Sequence, residues 1–319
     1  LKMGASTATK PRASRCSREA DGRLSGRELG LVALICLAWA GNFITSKLAL
    51  QEIPPFLFTA LRLLLLCIVL GAFLKVPERA VWKRLGLVAL FNGVLHFGLN
   101  FWSIKLSTNI ASPAIVMQSY VPMVALLAWW LLGEKFHWRT GTAIAVSFLG
   151  VLVLGLDPDI IGDPAPVLIM LVSALCIAFG TIAMRGLQMD LIQQQGWTAL
   201  LAILPITLIS FAAEGNPMPY ILQASAQAWF GVIYAALIAS LVGHGLFFVL
   251  IKRHPVALIT PYLLLAPLLA SILGVVFLHD KVGIRVWIGG ALVLGGVLAI
   301  ALRNLQKAKP EPPAAADLV

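Results

Sequence analysis

Acidic residues are scarce in this chain: 14 against 24 basic ones in 319 residues. None falls inside its long apolar stretches. That leaves no paired carboxylates for hydrolytic chemistry in a bilayer and no buried acid to carry a proton. Cysteine is nearly as rare. Cys16, Cys36, Cys67 and Cys176 are scattered, with neither the pattern of a secreted disulfide framework nor zinc-ligand spacing. No metal, cofactor or catalytic residue is therefore expected. Charged residues make up only 12% of the chain and hydrophobic ones 60%, which excludes an ordinary soluble domain.

What is present is a series of apolar segments, each long enough to cross a bilayer. Ten are read, near 29–50, 55–74, 85–104, 109–132, 140–156, 165–184, 196–213, 226–251, 255–278 and 284–302. An all-α membrane protein follows. Residues 1–28 are rich in Ser, Arg, Lys and Gly and read as a flexible basic tail; 305–319 reads as a second tail. Arg23, Arg27 and the run ending at Ala38-Trp39-Ala40 also resemble a cleaved signal peptide. Cleavage there would leave one half of the chain a span short.

That matters because the second half repeats the first. His96, Lys105, Ser112 and Pro113 answer to His244, Arg253, Thr260 and Pro261, each 148 residues later. Glu134-Lys135, Arg139 and Gly150 answer to Asp280-Lys281, Arg285 and Gly296, each 146 later. The expected units are 29–156 and 165–304, five spans apiece, and an odd number of crossings sets them in opposite orientations.

The net charge of +10 suggests nucleic acid until the charges are mapped. With both termini in the cytoplasm, nineteen Lys and Arg fall on that side. Only Lys105, Lys281 and Arg285 fall outside, and Lys47 and Arg62 lie within spans. This is the positive-inside pattern of a multi-pass plasma-membrane protein, not a nucleic-acid footprint.

Polar residues within spans mark a path or an interhelical contact. Asn92, His96 and Asn100 share one face of span three; Ser240 and His244 share a face of span eight; Gln118, Ser119 and Tyr120 lie in span four; Trp39 and Asn42 lie in span one. Together they predict walls of a polar cavity. Pro122 and Pro267 interrupt spans four and nine and read as gating kinks or static bends. Lys47 reads as a snorkelling cation. Arg62 holds carbonyl oxygens or attracts a substrate carboxylate, and has no counterpart in the second half. Ala143, Gly150, Gly289 and Gly296 read as packing or dimer contacts.

These landmarks resemble the ten-span EamA branch of the drug/metabolite transporter superfamily. The likeness rests on Pro54-Pro55 with Arg62, on Gln118 through Leu132-Gly133-Glu134-Lys135 to Gly150-Val151-Leu152-Val153-Leu154, and on Pro261 through Leu278-His279-Asp280-Lys281 to Gly295-Gly296-Val297. It covers about residues 29 to 304. It implies two inverted five-helix repeats around a cavity lined by Trp39, Asn42, His96, Asn100, Gln118, Tyr120, Phe179, His244 and Tyr262. Within the branch the chain is similar to exporters of O-acetylserine, cysteine-pathway metabolites and amino acids. It lacks the span-one glutamate of the small four-span relatives, which sets their drug/proton antiport apart. The expectation is an exporter of small amino acids or related metabolites, working by alternating access in the bacterial inner membrane, monomer or homodimer, with no enzymatic activity. The rivals are a drug or other-metabolite efflux carrier of the same fold, an intramembrane enzyme built on Ser240 and His244, and a membrane sensor.

Overall fold

The computed structural model describes residues 24–135, 137–185, 187, 189–254 and 256–308. Most of the first tail (1–23, with Cys16), Pro255 and 309–319 lie outside the described residues. Among the described residues there is no strand, and ten helices are long and apolar enough to cross a membrane. They are α1 Gly26–Ala49, α2 Pro55–Phe73, α3 Arg79–Leu106, α4 Ala111–Leu132, α5 Trp138–Gly155, α6 Ala165–Met184, α7 Leu191–Glu214, α8 Ala226–Ile251, α9 Leu258–Phe277 and α10 Ile284–Gln306. The structure thus bears out an all-α fold of ten spans. It lengthens α3 and α7 at their starts, to 79 and 191 from the expected 85 and 196. The longer helices also correct one reading: Glu28 and Glu214 occupy terminal turns, so the spans are free of acid only in their interiors. Helix α1 runs unbroken through Ala38–Ala40.

The helix ends follow from local chemistry. Ser25 and Glu28 form a reciprocal capping box at the start of α1. Pro55 takes the first position of α2, where its missing N–H is no loss. The N–H groups of Phe56 and Leu57 donate to Glu214 at 2.7 and 2.8 Å. Helix α4 stops on Gly133 at φ 68°, and α9 stops 146 residues later on His279 at φ 56°. In both, the next residue's N–H reaches back six positions, Glu134 to Ala128 and Asp280 to Gly274, each at 3.2 Å. The repeat is therefore a repeat of backbone geometry as well as of residues.

The packing shows the same two-fold relation. α1 packs on α8 and α9, and its equivalent α6 packs on α3 and α4. α2 pairs with its own equivalent α7, α4 with α9, and α5 with α10. Lipid supplies little apolar drive between helices, so close backbone approach must hold the pairs. Along α5 and α10 it does. A Cβ on Gly150 would lie 2.6 Å from Gly289 O, and one on Gly296 would lie 2.6 Å from Ala143 O. Since Ala143 and Gly150 are the equivalents of Gly289 and Gly296, one contact maps onto the other. These small residues, open to a dimer role by sequence, are spent inside the chain.

Candidate functional site

Two wide, π-type turns set the site: Ala89–His96 in α3 and Tyr234–Gly243 in α8. They stand at equivalent places, and each runs into one of the paired histidines. A π turn carries an extra residue and swings carbonyls away from their usual helical donors. In α8 two such carbonyls become acceptors for side chains. Ala235 O takes Arg62 Nε at 3.2 Å and Ser240 Oγ at 2.6 Å. Ala239 O takes Trp39 Nε1 at 3.3 Å and His244 Nδ1 at 3.0 Å. Nothing in the residue pattern announces these turns.

Arg62 reaches this centre from α2 and is 2% exposed. Its Nη2 donates to Ser240 Oγ at 2.7 Å, and its Cζ lies 3.7 Å from the centroid of the Phe97 ring. Phe97 was not singled out from sequence, although it follows His96 directly. A guanidinium over an aromatic face gains about 2 kcal/mol when desolvated, less than the several kcal/mol that burial of an ion costs. Among the described residues no carboxylate pairs with Arg62, and its Nη1 has no hydrogen-bond partner. One strong donor in the bundle interior is left unused.

The histidines are held in defined tautomers. Ser173 Oγ donates its proton to His96 O at 3.0 Å, so it can only accept from His96 Nδ1 at 2.9 Å. His244 Nδ1 faces Ala239 O, which also only accepts. In each ring Nδ1 therefore carries a proton. Arg62 acts on both imidazoles electrostatically. Ser240 gives its hydroxyl proton to Ala235 O rather than to His244, so the pair is not arranged as nucleophile and base.

The remaining predicted residues fall around this core. Trp39 packs its ring 5.3 Å from that of His244, which joins α1 to the centre. Asn42, one turn further along α1, accepts from Ser46 Oγ at 3.4 Å. Of the α3 stripe, Asn92 lies against Gly180 and Met184 of α6, and His96 meets Ser173 of the same helix. Asn100 is buried. Much of that face is thus spent on α6. Phe179 stacks on Phe91 at 5.4 Å. Gln118 and Ser119 form a break in α4, closed by short bonds from Gln118 to Ile115, Ser119 to Val116 and Val121 to Gln118. Tyr120 begins the helix after it, with Pro122 in that first turn; Pro267 stands likewise just beyond Leu264 in α9. The prolines follow the breaks rather than occupy them, because a residue lacking an N–H is tolerated in a first turn. Tyr262 is 38% exposed, and its carbonyl accepts weakly from Cys36 Sγ at 3.6 Å. Lys47 does not snorkel: its Nζ donates to the carbonyls of Ile104, Lys105 and Ser107 at the end of α3.

Two five-span units packed about a two-fold, with polar groups gathered where α1, α2, α3 and α8 meet, are the architecture of a membrane transporter. The family model "EamA-like transporter family" matches twice, over residues 27–156 and 165–302, and the chain belongs to that family. It is similar to a "Probable amino-acid metabolite efflux pump" of Escherichia coli (strain K12), 23% identical over 86% of this chain and 94% of that protein. It is equally similar to the "Uncharacterized inner membrane transporter YedA" of the same organism, 23% identical over 88% and 93%. The "Uncharacterized transporter YvbV" of Bacillus subtilis (strain 168) is 26% identical over 86% and 91%. A solved crystal structure matches 90% of this chain and all of its own with a TM-score of 0.57 at 19% identity, a likeness of fold.

Proposed function

We propose that this transporter exports small amino acids or closely related metabolites across the inner membrane by alternating access between its repeats. The observation that carries this reading is the unpaired Nη1 of Arg62 in a centre without acid. A guanidinium N–H in a low-dielectric site binds a carboxylate more strongly than any neutral donor does. Two imidazoles, an indole and side-chain amides on the neighbouring helices suit the rest of a zwitterion. Among the described residues a cation finds no carboxylate there, which weighs against the drug-efflux alternative. The relative named as an amino-acid metabolite efflux pump supports the substrate class, and the one named as an inner membrane transporter supports the location. The nineteen-to-three sorting of basic residues supports cytoplasmic termini. Trp39, Asn42, His96, Asn100, Gln118, Tyr120, Phe179, His244 and Tyr262 are proposed to line the route, with Pro122 and Pro267 allowing α4 and α9 to bend.

The test is flux in liposomes holding the purified protein, comparing an amino acid, its primary amide and an amphiphilic cation. The acid is expected to cross, the cation not. Loss of the carboxylate removes a charge-assisted bond of about 1.5–3 kcal/mol and should slow the amide by roughly 10- to 100-fold. Robust flux of a dye or sugar with none for any amino acid overturns the substrate class. Equal flux of acid and amide removes Arg62 from recognition.

A further inference from the structure

The turn between α3 and α4 is held from both sides. Lys47, at the end of α1, donates to Ile104, Lys105 and Ser107 carbonyls at 2.9, 3.1 and 2.5 Å. Asp280, just past α9, accepts from the Ile110 N–H at 2.7 Å at the start of α4. Cation meets the negative helix end and anion the positive one. Lys47 and Asp280 also attract each other. At the opposite end of the bundle the two-fold sets equivalent parts: Arg185 at the end of α6, Glu134 just past α4, and the turn between α8 and α9, where Leu258 answers to Ile110. The left-handed stops at Gly133 and His279 present Glu134 and Asp280 alike within their repeats. Yet the contact made differs. Glu134 pairs with Arg185, the two side chains 54% and 44% exposed to solvent, and among the described residues of the α8–α9 turn neither has a hydrogen-bond partner.

We propose that these are two copies of one latch, shut at the Asp280–Ile110 end in this structure and open at the Glu134–Arg185 end. Reversing access exchanges them: Asp280 releases Ile110, and Glu134 takes the first-turn N–H groups of α9 near Leu258 while Arg185 takes the carbonyls ending α8. Because the repeats are equivalent in backbone, the latch that closes at one end offsets the latch that opens at the other, which keeps the two states close in energy.

The experiment needs no solute, so it stands apart from the substrate reading. In protein with the four native cysteines replaced by alanine, Ser107→Cys reports on the latched turn and Arg253→Cys on the open one. Each is titrated with a hydrophilic maleimide in nanodiscs. Asp280→Asn is expected to raise Ser107→Cys labelling about 10-fold or more and to lower that of Arg253→Cys. Asp280→Glu should restore protection, and Glu134→Gln should leave Ser107→Cys protected. A fall at one reporter with a rise at the other cannot come from unfolding, which exposes both. No change on Asp280→Asn, a rise at both reporters, or exposure of Ser107→Cys by Glu134→Gln overturns the latch.

Discussion

Replacing Gly289 by alanine tests whether close approach of α5 and α10 holds the repeats together. The added Cβ would lie 2.5 Å from Gly150 O and 2.7 Å from Leu154 N, where ordinary contact begins at 3.4 Å. The helices must part by about 0.9 Å at a seam whose other close atoms, Leu154 N and Cβ, are fixed to the backbone and cannot rotate away. Overpacking of this kind costs about 1–3 kcal/mol. Alanine recovers up to about 1 kcal/mol by restricting the unfolded chain, so with full recovery the net loss is at most about 2 kcal/mol. Gly295 is the internal control, being on the same helix with nothing within 4 Å of its added Cβ. Thermal unfolding in detergent can be followed with a thiol-reactive dye, since Cys36 and Cys176 are buried. Gly289→Ala should unfold several degrees below the parent and Gly295→Ala at or above it. Equal midpoints for the two variants would refute the seam.

His279 holds a left-handed backbone with a side chain where its equivalent is Gly133. His279→Gly should therefore raise stability by about 1 kcal/mol, read as a higher unfolding midpoint. Glu52 accepts from both the N–H and the hydroxyl of Ser225 at 2.6 Å, which holds its carboxyl below the ordinary 4.5. Its contribution is full above pH 4.5 and lost as pH falls through the lowered folded value; Glu52→Gln should flatten that limb of the stability profile, and an unchanged limb would refute the assignment. His96→Ala should lower transport rate and alter its pH dependence in protein that remains folded. Unchanged rate and profile would leave His96 as an α3–α6 contact only.

The spans were legible because apolar length is a coarse signal, and the repeat because acid–base pairs and prolines at helix ends keep fixed spacing. Gly133 and His279 show the limit of matching letters: the residues differ, yet both helices stop with the same backbone turn. Lys47 was misread for a related reason. Composition places a cation near a span end but cannot show that the carbonyls of Ile104, Lys105 and Ser107 stand there to receive it. The stripe of Asn92, His96 and Asn100 assumed 3.6 residues per turn. The wide turn over Ala89–His96 breaks that period and puts Asn92 and His96 against α6.

Arg62 was the hardest residue to place, and its difficulty has a physical cause. In sequence it is a lone cation without a partner in either repeat. Its partners lie in the wide turn of α8: Ala235 O, and Ser240 Oγ, whose proton that same carbonyl holds. With Nε and Nη2 fixed in this way and Phe97 beneath the plane, the guanidinium cannot turn its remaining edge toward them. Nη1 is thus a donor that the first repeat places at the centre and the second does not match. A carrier can exchange two equivalent halves about such a point while keeping recognition on one side of the axis, since symmetry of the moving parts places no symmetry on what they carry.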